Sequence, residues 1–258
     1  MLERFRKAKL AEIDALQALA EAGELPAPLP GPRLSLSLSL TQNGPGAVIA
    51  EYKRASPSRG DINLDLAPAD AACIYAEAGA AALSVLTEEE HFKGRLDYLE
   101  AMACAGLPML RKDFLFHPLQ VRATAATPAS AYLLIARMFP TVAGLELCLG
   151  EGGPLGLEAV VEVFDDDDLA LAREAGAGII QVNNRDLQTL ETDMDNARRM
   201  IARRHPGEVW ICASGIDGPE AAREMADLGY DGLLVGTSLM AAQNPGKALK
   251  ELIEGVRQ

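Results

Sequence analysis

Two oppositely charged residues stand two positions apart in a strand-like run, Glu51 and Lys53 in IAEYKRASPSRG (Ile49 to Gly60). Side chains alternate faces along a strand, so both share the side of Ile49 and lie opposite Tyr52. A carboxylate and an ammonium so placed can move protons or hold an anion, and taken alone they also read as a structural ion pair. Other apolar runs end in single polar residues. Lys112, in MLRKDF, shares a face with Leu110 while Arg111 points the other way; by itself it reads as a solvated tip. Glu162, in VVEV, is a carboxylate among valines and needs a partner or a task. Asn183 closes QVNNRDL, with Arg185 just beyond. Two further runs end in small residues, ASGI (Ala213 to Ile216) and LVGTSLM (Leu234 to Met240). Backbone N–H groups can approach a phosphate there, and a short helix after Gly236 would aim its positive end at it.

These residues need a scaffold that brings strand ends together. From residue 46 short apolar runs alternate with amphipathic stretches: AVIAEYK (47–53), AALSVL (81–86), PMLRK (108–112), AYLLIA (131–136), EAVVEV (158–163), GIIQVN (178–183), VWICA (209–213) and GLLVG (232–236). Intervening segments such as PADAACIYAEAG and GPEAAREMADLG open near Pro or Asp and close on Gly, as helices prefer. Alternation with near-continuous apolar strands implies a parallel sheet covered by helices, and eight such units favour a closed (β/α)8 barrel. No G-x-G-x-x-G follows the first strand, which argues against a dinucleotide fold. In such a barrel the catalytic groups belong at the C-terminal ends of the strands, where these charges fall.

Ahead of the barrel, residues 1 to about 23 have helical periodicity, PAPLPGPR (Pro26 to Arg33) is a linker, and LSLSLSL (Leu34 to Leu40) alternates like a half-buried strand. The expected division is an N-terminal helix and linker over 1–45 packing on a barrel over 46–258, a single domain overall. The 258 residues suffice for that. A net charge of −13 argues against nucleic acid and requires local positive groups to capture an anionic substrate. Cys73, Cys104, Cys148 and Cys212 stand far apart with no histidine at ligand spacing, so buried thiols are expected rather than a metal site or disulfides. The charged N-terminus lacks the apolar core of a signal peptide, and no run approaches a membrane span; the expectation is a cytoplasmic protein with no membrane partner.

The motifs AEYKRASPSRG, LSVLTEEEHFKG, LRKDF, LLIARMF, VVEV, NNRDL, SGI and LVGTSLM resemble, in order and spacing, those of the indole-3-glycerol-phosphate synthase family of tryptophan biosynthesis, from about residue 47 to 250. The resemblance implies ring closure of 1-(2-carboxyphenylamino)-1-deoxyribulose 5-phosphate with loss of carbon dioxide and water, without metal or organic cofactor; the expected assembly is a monomer or weak homodimer. It implies Lys112 as the general acid on the ribulose carbonyl oxygen and Glu162 as the acid or base of the dehydration, with Glu51 and Lys53 competing for that proton. It places Ser56, Ser214, Gly215, Gly236 and Thr237 on the phosphate and Asn183 and Arg185 on the polar body of the substrate. Phe92 and Phe114 are placed to face the anthranilate ring or to pack the core.

Two positions depart from the family's pattern. Ala213-Ser214-Gly215 stands where Glu-Ser-Gly is usual, and Gln181 where glycine is usual. The expectation is that the Gln181 amide takes over part of the space and hydrogen bonding given up at Ala213. The departures leave open a degenerate barrel that binds a phosphorylated ligand without turning it over. Phosphoribosylanthranilate isomerase is a weaker alternative, because it would need a cysteine at the first strand end, where Glu51 stands.

Overall fold

The computed structural model describes residues 2–186 and 189–257. Eight parallel strands close into a barrel: β1 (Ala47–Tyr52), β2 (Ala82–Leu86), β3 (Met109–Leu115), β4 (Ala131–Ile135), β5 (Glu158–Val163), β6 (Ile179–Asn183), β7 (Val209–Ala213) and β8 (Gly232–Val235). Each pairs with its sequence neighbours, and β8 returns to β1 through Ala47↔Gly232 to Ala50↔Val235. All six residues of β1 are buried, as expected of a strand covered by helices outside and side chains within. The sequence-derived strands match these within a residue, except that β3 runs three residues past the expected end at 112, and the architecture is the (β/α)8 barrel they implied.

The helices are α1 (Leu2–Ala22), α2 (Leu36–Gln42), α3 (Pro68–Ala78), α4 (Tyr98–Met102), α5 (Pro118–Ala125), α6 (Val142–Gly152), α7 (Asp166–Glu174), α8 (Met194–Ile201), α9 (Pro219–Asp227), α10 (Thr237–Met240) and α11 (Pro245–Arg257). Their ends follow local chemistry. Asp165 caps α7 by accepting from Asp168 N, and α3 starts on Pro68 and stops at Gly79, whose φ of 96° suits glycine.

LSLSLSL is a correction: it forms the helix α2, not a strand. Ser35 accepts from Leu38 N, and the Glu158 carboxylate accepts from Leu36 N at 2.5 Å and Ser37 N at 3.1 Å. A carboxylate on the first free N–H groups favours a helix start. On that helix the alternating leucines separate: Leu36 and Leu40, four apart, are fully buried, while Leu38 is 54% exposed. Burying the two contributes about 1.5–3 kcal/mol each. A closed barrel also has no free edge to accept an extra strand. Leu40 plugs the barrel floor, where a Cβ on Gly232 would lie 3.1 Å from it.

The linker before α2 is fastened by Arg33, whose guanidinium donates to the carbonyls of Thr127 at 2.7 Å and of Ala125 and Ala129 at 2.5 Å each. Earlier, α1 buries Phe5, Lys9, Ile13 and Leu16, one face at helical spacing, against β3 and α5. Lys9 is the unusual member. Its ammonium lies 2.8 Å from Asp113 Oδ2 and from Glu12 Oε2, and Arg111 joins the group, 3.0 Å from Glu12 and 3.1 Å from Asp113. Arg111 thus points away from Lys112, outward between the strands and helices, but into a buried ion network rather than to solvent. Cys148 and Cys212 are buried as expected; Cys73 and Cys104 are exposed, a correction, with sulfurs 4.0 Å apart where α3 meets the turn 103–105.

Candidate active site

The C-terminal ends of the strands enclose a cavity of about 1270 Å3, its open mouth included. Every residue singled out in the sequence as catalytic or substrate-binding lines it: Glu51, Lys53 and Ser56 from the β1 end, Phe92 from the loop after β2, Lys112 and Phe114 from β3, Glu162 from β5, Asn183 from the end of β6 and Arg185 just beyond it, Ser214 and Gly215 after β7, and Gly236 and Thr237 after β8.

Glu51 and Lys53 form an ion pair, 2.8 Å from Oε1 to Nζ, and Ser84 Oγ donates to the other carboxylate oxygen at 3.3 Å. Burial alone would raise the Glu51 carboxyl, but Lys53 and Lys112, with the hydrogen bonds from Lys53 and Ser84, outweigh it and hold the group below its ordinary range. Glu51 is the last but one residue of β1, and its carboxylate fixes the position of the Lys53 ammonium just beyond the strand end.

Lys112 Nζ lies 3.8 Å from Glu162 Oε2. Glu162 in turn accepts from Asn183 Nδ2 at 3.1 Å and from Gln181 Nε2 at 2.5 Å. Asn183 is locked by further bonds, its Oδ1 accepting from Ser214 Oγ at 2.8 Å and Arg185 N at 3.0 Å. One chain of contacts therefore runs from Lys112 through Glu162 and Asn183 to Ser214.

The Gln181 expectation changes. Strand register sets Gln181 beside Glu162 and Ile211, and Ala213 beside Asn183. Gln181 thus lies two residues deeper than the level of Ala213, and its donor is engaged by Glu162. Gln181 is wholly buried, whereas Ala213 lines the cavity. The opening left at Ala213 is not filled by this amide.

On one side of the cavity, Phe114 and Phe92 face a third ring that the sequence did not single out, Phe5 of α1. Phe5 stacks on Phe114 with centroids 4.1 Å apart, and Phe92 is tilted 6.1 Å from Phe114. Opposite lie small and polar residues. Ser214 and Gly215 both have positive φ, 70° and 84°, and turn the chain sharply along the cavity rim just after β7. The short strands Ala55–Ser56 and Gly60–Asp61 pair as a hairpin whose tip brings Ser58 and Arg59 to the same rim. Arg59, a cation on this side with no ion-pair partner among the described residues, had no strand position to mark it.

Gly236 has a steric role that its sequence did not suggest. A Cβ there would collide with the Glu51 carboxylate, so the glycine makes room for the ion pair. The arrangement joins an aromatic wall, an ammonium–carboxylate pair at the centre and an anion-accepting rim opposite. It suits proton delivery to a phosphorylated molecule carrying an aromatic ring.

Comparison with known proteins agrees. The family model for indole-3-glycerol phosphate synthase matches residues 2–252. The chain is similar to an indole-3-glycerol phosphate synthase of Desulfosudis oleivorans, 44% identical over 82% of this chain and 80% of that protein. Another, from Mycolicibacterium gilvum, is 39% identical over 96% and 90%. Among solved structures, 3-hexulose-6-phosphate synthase from Salmonella typhimurium superposes with a TM-score of 0.66 at 15% identity, covering 82% of this chain and 99% of that one, a likeness of fold.

Proposed function

Since the chain belongs to the indole-3-glycerol phosphate synthase family, we propose how its own side chains divide the work of that reaction. The reaction is ring closure of 1-(2-carboxyphenylamino)-1-deoxyribulose 5-phosphate, a carboxy-lyase step of tryptophan biosynthesis that releases carbon dioxide and water.

The observation that carries the assignment is the Lys112–Glu162 pair at 3.8 Å, set between the aromatic wall and the anion-accepting rim. The anthranilate ring lies against Phe92, Phe114 and Phe5. The phosphate is held by Ser56, Arg59 and the backbone of Ser214, Gly215, Gly236 and Thr237. Lys112 protonates the ribulose carbonyl oxygen as the aromatic carbon attacks the carbonyl carbon, and loss of carbon dioxide restores the ring.

Dehydration then needs a group that takes one proton and delivers one to the departing hydroxyl. Glu51 is a poor candidate because Lys53 and Lys112 hold it as a carboxylate. Glu162, beside Lys112, takes this role, and Lys53 meets the substrate carboxylate. Asn183 orients Glu162, and Arg185 lines the polar side of the substrate.

The segment before residue 46 works as an arm of the barrel, bringing Phe5 to the mouth. We place the protein in the cytoplasm as a monomer or weak homodimer; among the described residues no helix is long and apolar enough to cross a membrane. The degenerate-barrel reading would fit the loss of a rim carboxylate at Ala213, but Glu51, Lys53, Lys112, Glu162 and Asn183 stand together around one cavity. An indole-fluorescence assay with the purified protein tests the proposal. Lys112→Ala should abolish turnover while affinity for a phosphate-bearing product analogue stays within about tenfold. Equal loss of both would make Lys112 an anchor.

A further inference from the structure

Gln181 is fully buried in the barrel interior, and its two amide atoms are used unequally. Nε2 donates to Glu162 Oε2 at 2.5 Å, while Oε1 has no hydrogen-bond partner among the described residues. A buried acceptor left unpaired costs stability and calls for an explanation.

The neighbours of Glu162 supply one. Lys112 can only donate. The Asn183 amide donates to Glu162, but its oxygen is held by Ser214 Oγ and Arg185 N, so it cannot turn. Gln181 alone of the three has an idle acceptor, attached by a freely turning terminal bond and set level with Glu162 by the strand register.

We propose that Gln181 is a positioning residue that serves Glu162 in both protonation states. With Glu162 ionised, the Gln181 N–H donates to it. Once Glu162 has taken a proton from the substrate, the amide turns and Oε1 accepts from the neutral carboxyl. When that proton leaves with the departing hydroxyl as water, the amide returns. The carboxyl thus keeps one orientation through the cycle, without an added charge beside Lys112. This rests on the assignment of the dehydration proton to Glu162.

The test is a double-mutant cycle on kcat with Gln181→Met, which keeps length and burial but cannot donate and accepts only weakly. In the native background kcat should fall about tenfold or more with KM within about twofold. In a Glu162→Gln background the same change should cost nothing further. An equal fractional loss in both backgrounds, or a loss confined to KM, overturns the proposal. If the Met variant does not fold, Gln181→Glu carries the test: it keeps the shape and an acceptor oxygen but puts a second oxygen where the amide N–H donor to Glu162 stood. Its kcat should also fall, and full activity in it overturns the proposal. Wild-type kcat in Glu162→Gln alone would instead remove the Glu162 assignment, and the proposal with it.

Discussion

The ring of Phe5 lies parallel to that of Phe114, 10° between planes and 4.1 Å between centroids, so the first helix supplies part of the cavity wall. Such a pair contributes about 0.5–1.5 kcal/mol beyond its buried area. Phe5 lines the aromatic side of the cavity, which we propose takes the aromatic end of the substrate, and it makes no hydrogen bond to the groups proposed for proton transfer among the described residues. Phe5→Ala should therefore raise KM by up to about tenfold and leave kcat within about twofold. Steady-state kinetics decide it: a fall in kcat at constant KM would place Phe5 in the chemistry instead.

What holds that helix down titrates at both ends of the pH scale. For Asp113, burial raises the carboxyl, but Lys9 and Arg111 outweigh it and hold it below the ordinary 3.8. Its contribution is present above that pH and is lost as pH falls through the lower folded value. For Lys9, burial lowers the ammonium, but Asp113 and Glu12 outweigh it and hold it above 10.5. Its contribution is present below 10.5 and fades as pH rises through the higher folded value. Asp113→Asn leaves a buried ammonium short of its partner and should cost about 3–5 kcal/mol at neutral pH. Urea midpoints measured across pH should fall more steeply below pH 4 in the parent than in the variant, and parallel curves would contradict this.

The barrel and its rim were legible because strand alternation and strand-end position are local signals. Glu51, Lys53, Lys112, Glu162 and Asn183 each stand at the end of an apolar run, and the fold turns such positions inward at one mouth. Phe5 was not legible, because an apolar residue at helical spacing reads as core. Arg59 was hidden in a hairpin tip with no periodicity. LSLSLSL misled because period two is also compatible with a short helix that buries every second leucine, once a distant carboxylate, Glu158, caps it. The partner of Gln181 depended on register between strands, which a single sequence does not encode locally.

The cysteines divide in a way that alkylation reads directly. Cys73 and Cys104 are exposed, whereas burial pushes the Cys148 and Cys212 thiols up to about 12. Thiolate is the reactive form, so the buried pair is doubly protected. Iodoacetamide on the native protein should label Cys73 and Cys104 and leave the other two unmodified until denaturant is added, as peptide mass spectrometry would record. Labelling of Cys148 at the native rate would show that α6 opens readily.

The phosphate rim can be separated from the ion pair beside it. A side chain at Gly236 would strike the Glu51 carboxylate, so Gly236→Val displaces Glu51 from Lys53 as well as altering the backbone near the rim. That variant should lose kcat and phosphate competition together. Arg59 is different: it is exposed, lines the cavity beside Ser56 and Ser58, and is absent from the contacts around Glu51. A hydrogen bond to a charged group contributes about 1.5–3 kcal/mol, less at an exposed site. Arg59→Ala should therefore weaken competition by inorganic phosphate by about three- to tenfold and leave kcat within about twofold. The pairing of the two variants matters more than either alone. If Arg59→Ala left phosphate competition unaltered, the anion would sit on the backbone of Ser214, Gly215 and Thr237 without help from the hairpin. If instead it lowered kcat as far as Gly236→Val does, the hairpin would be positioning the reacting end of the substrate, and the rim and the central pair would act as one unit.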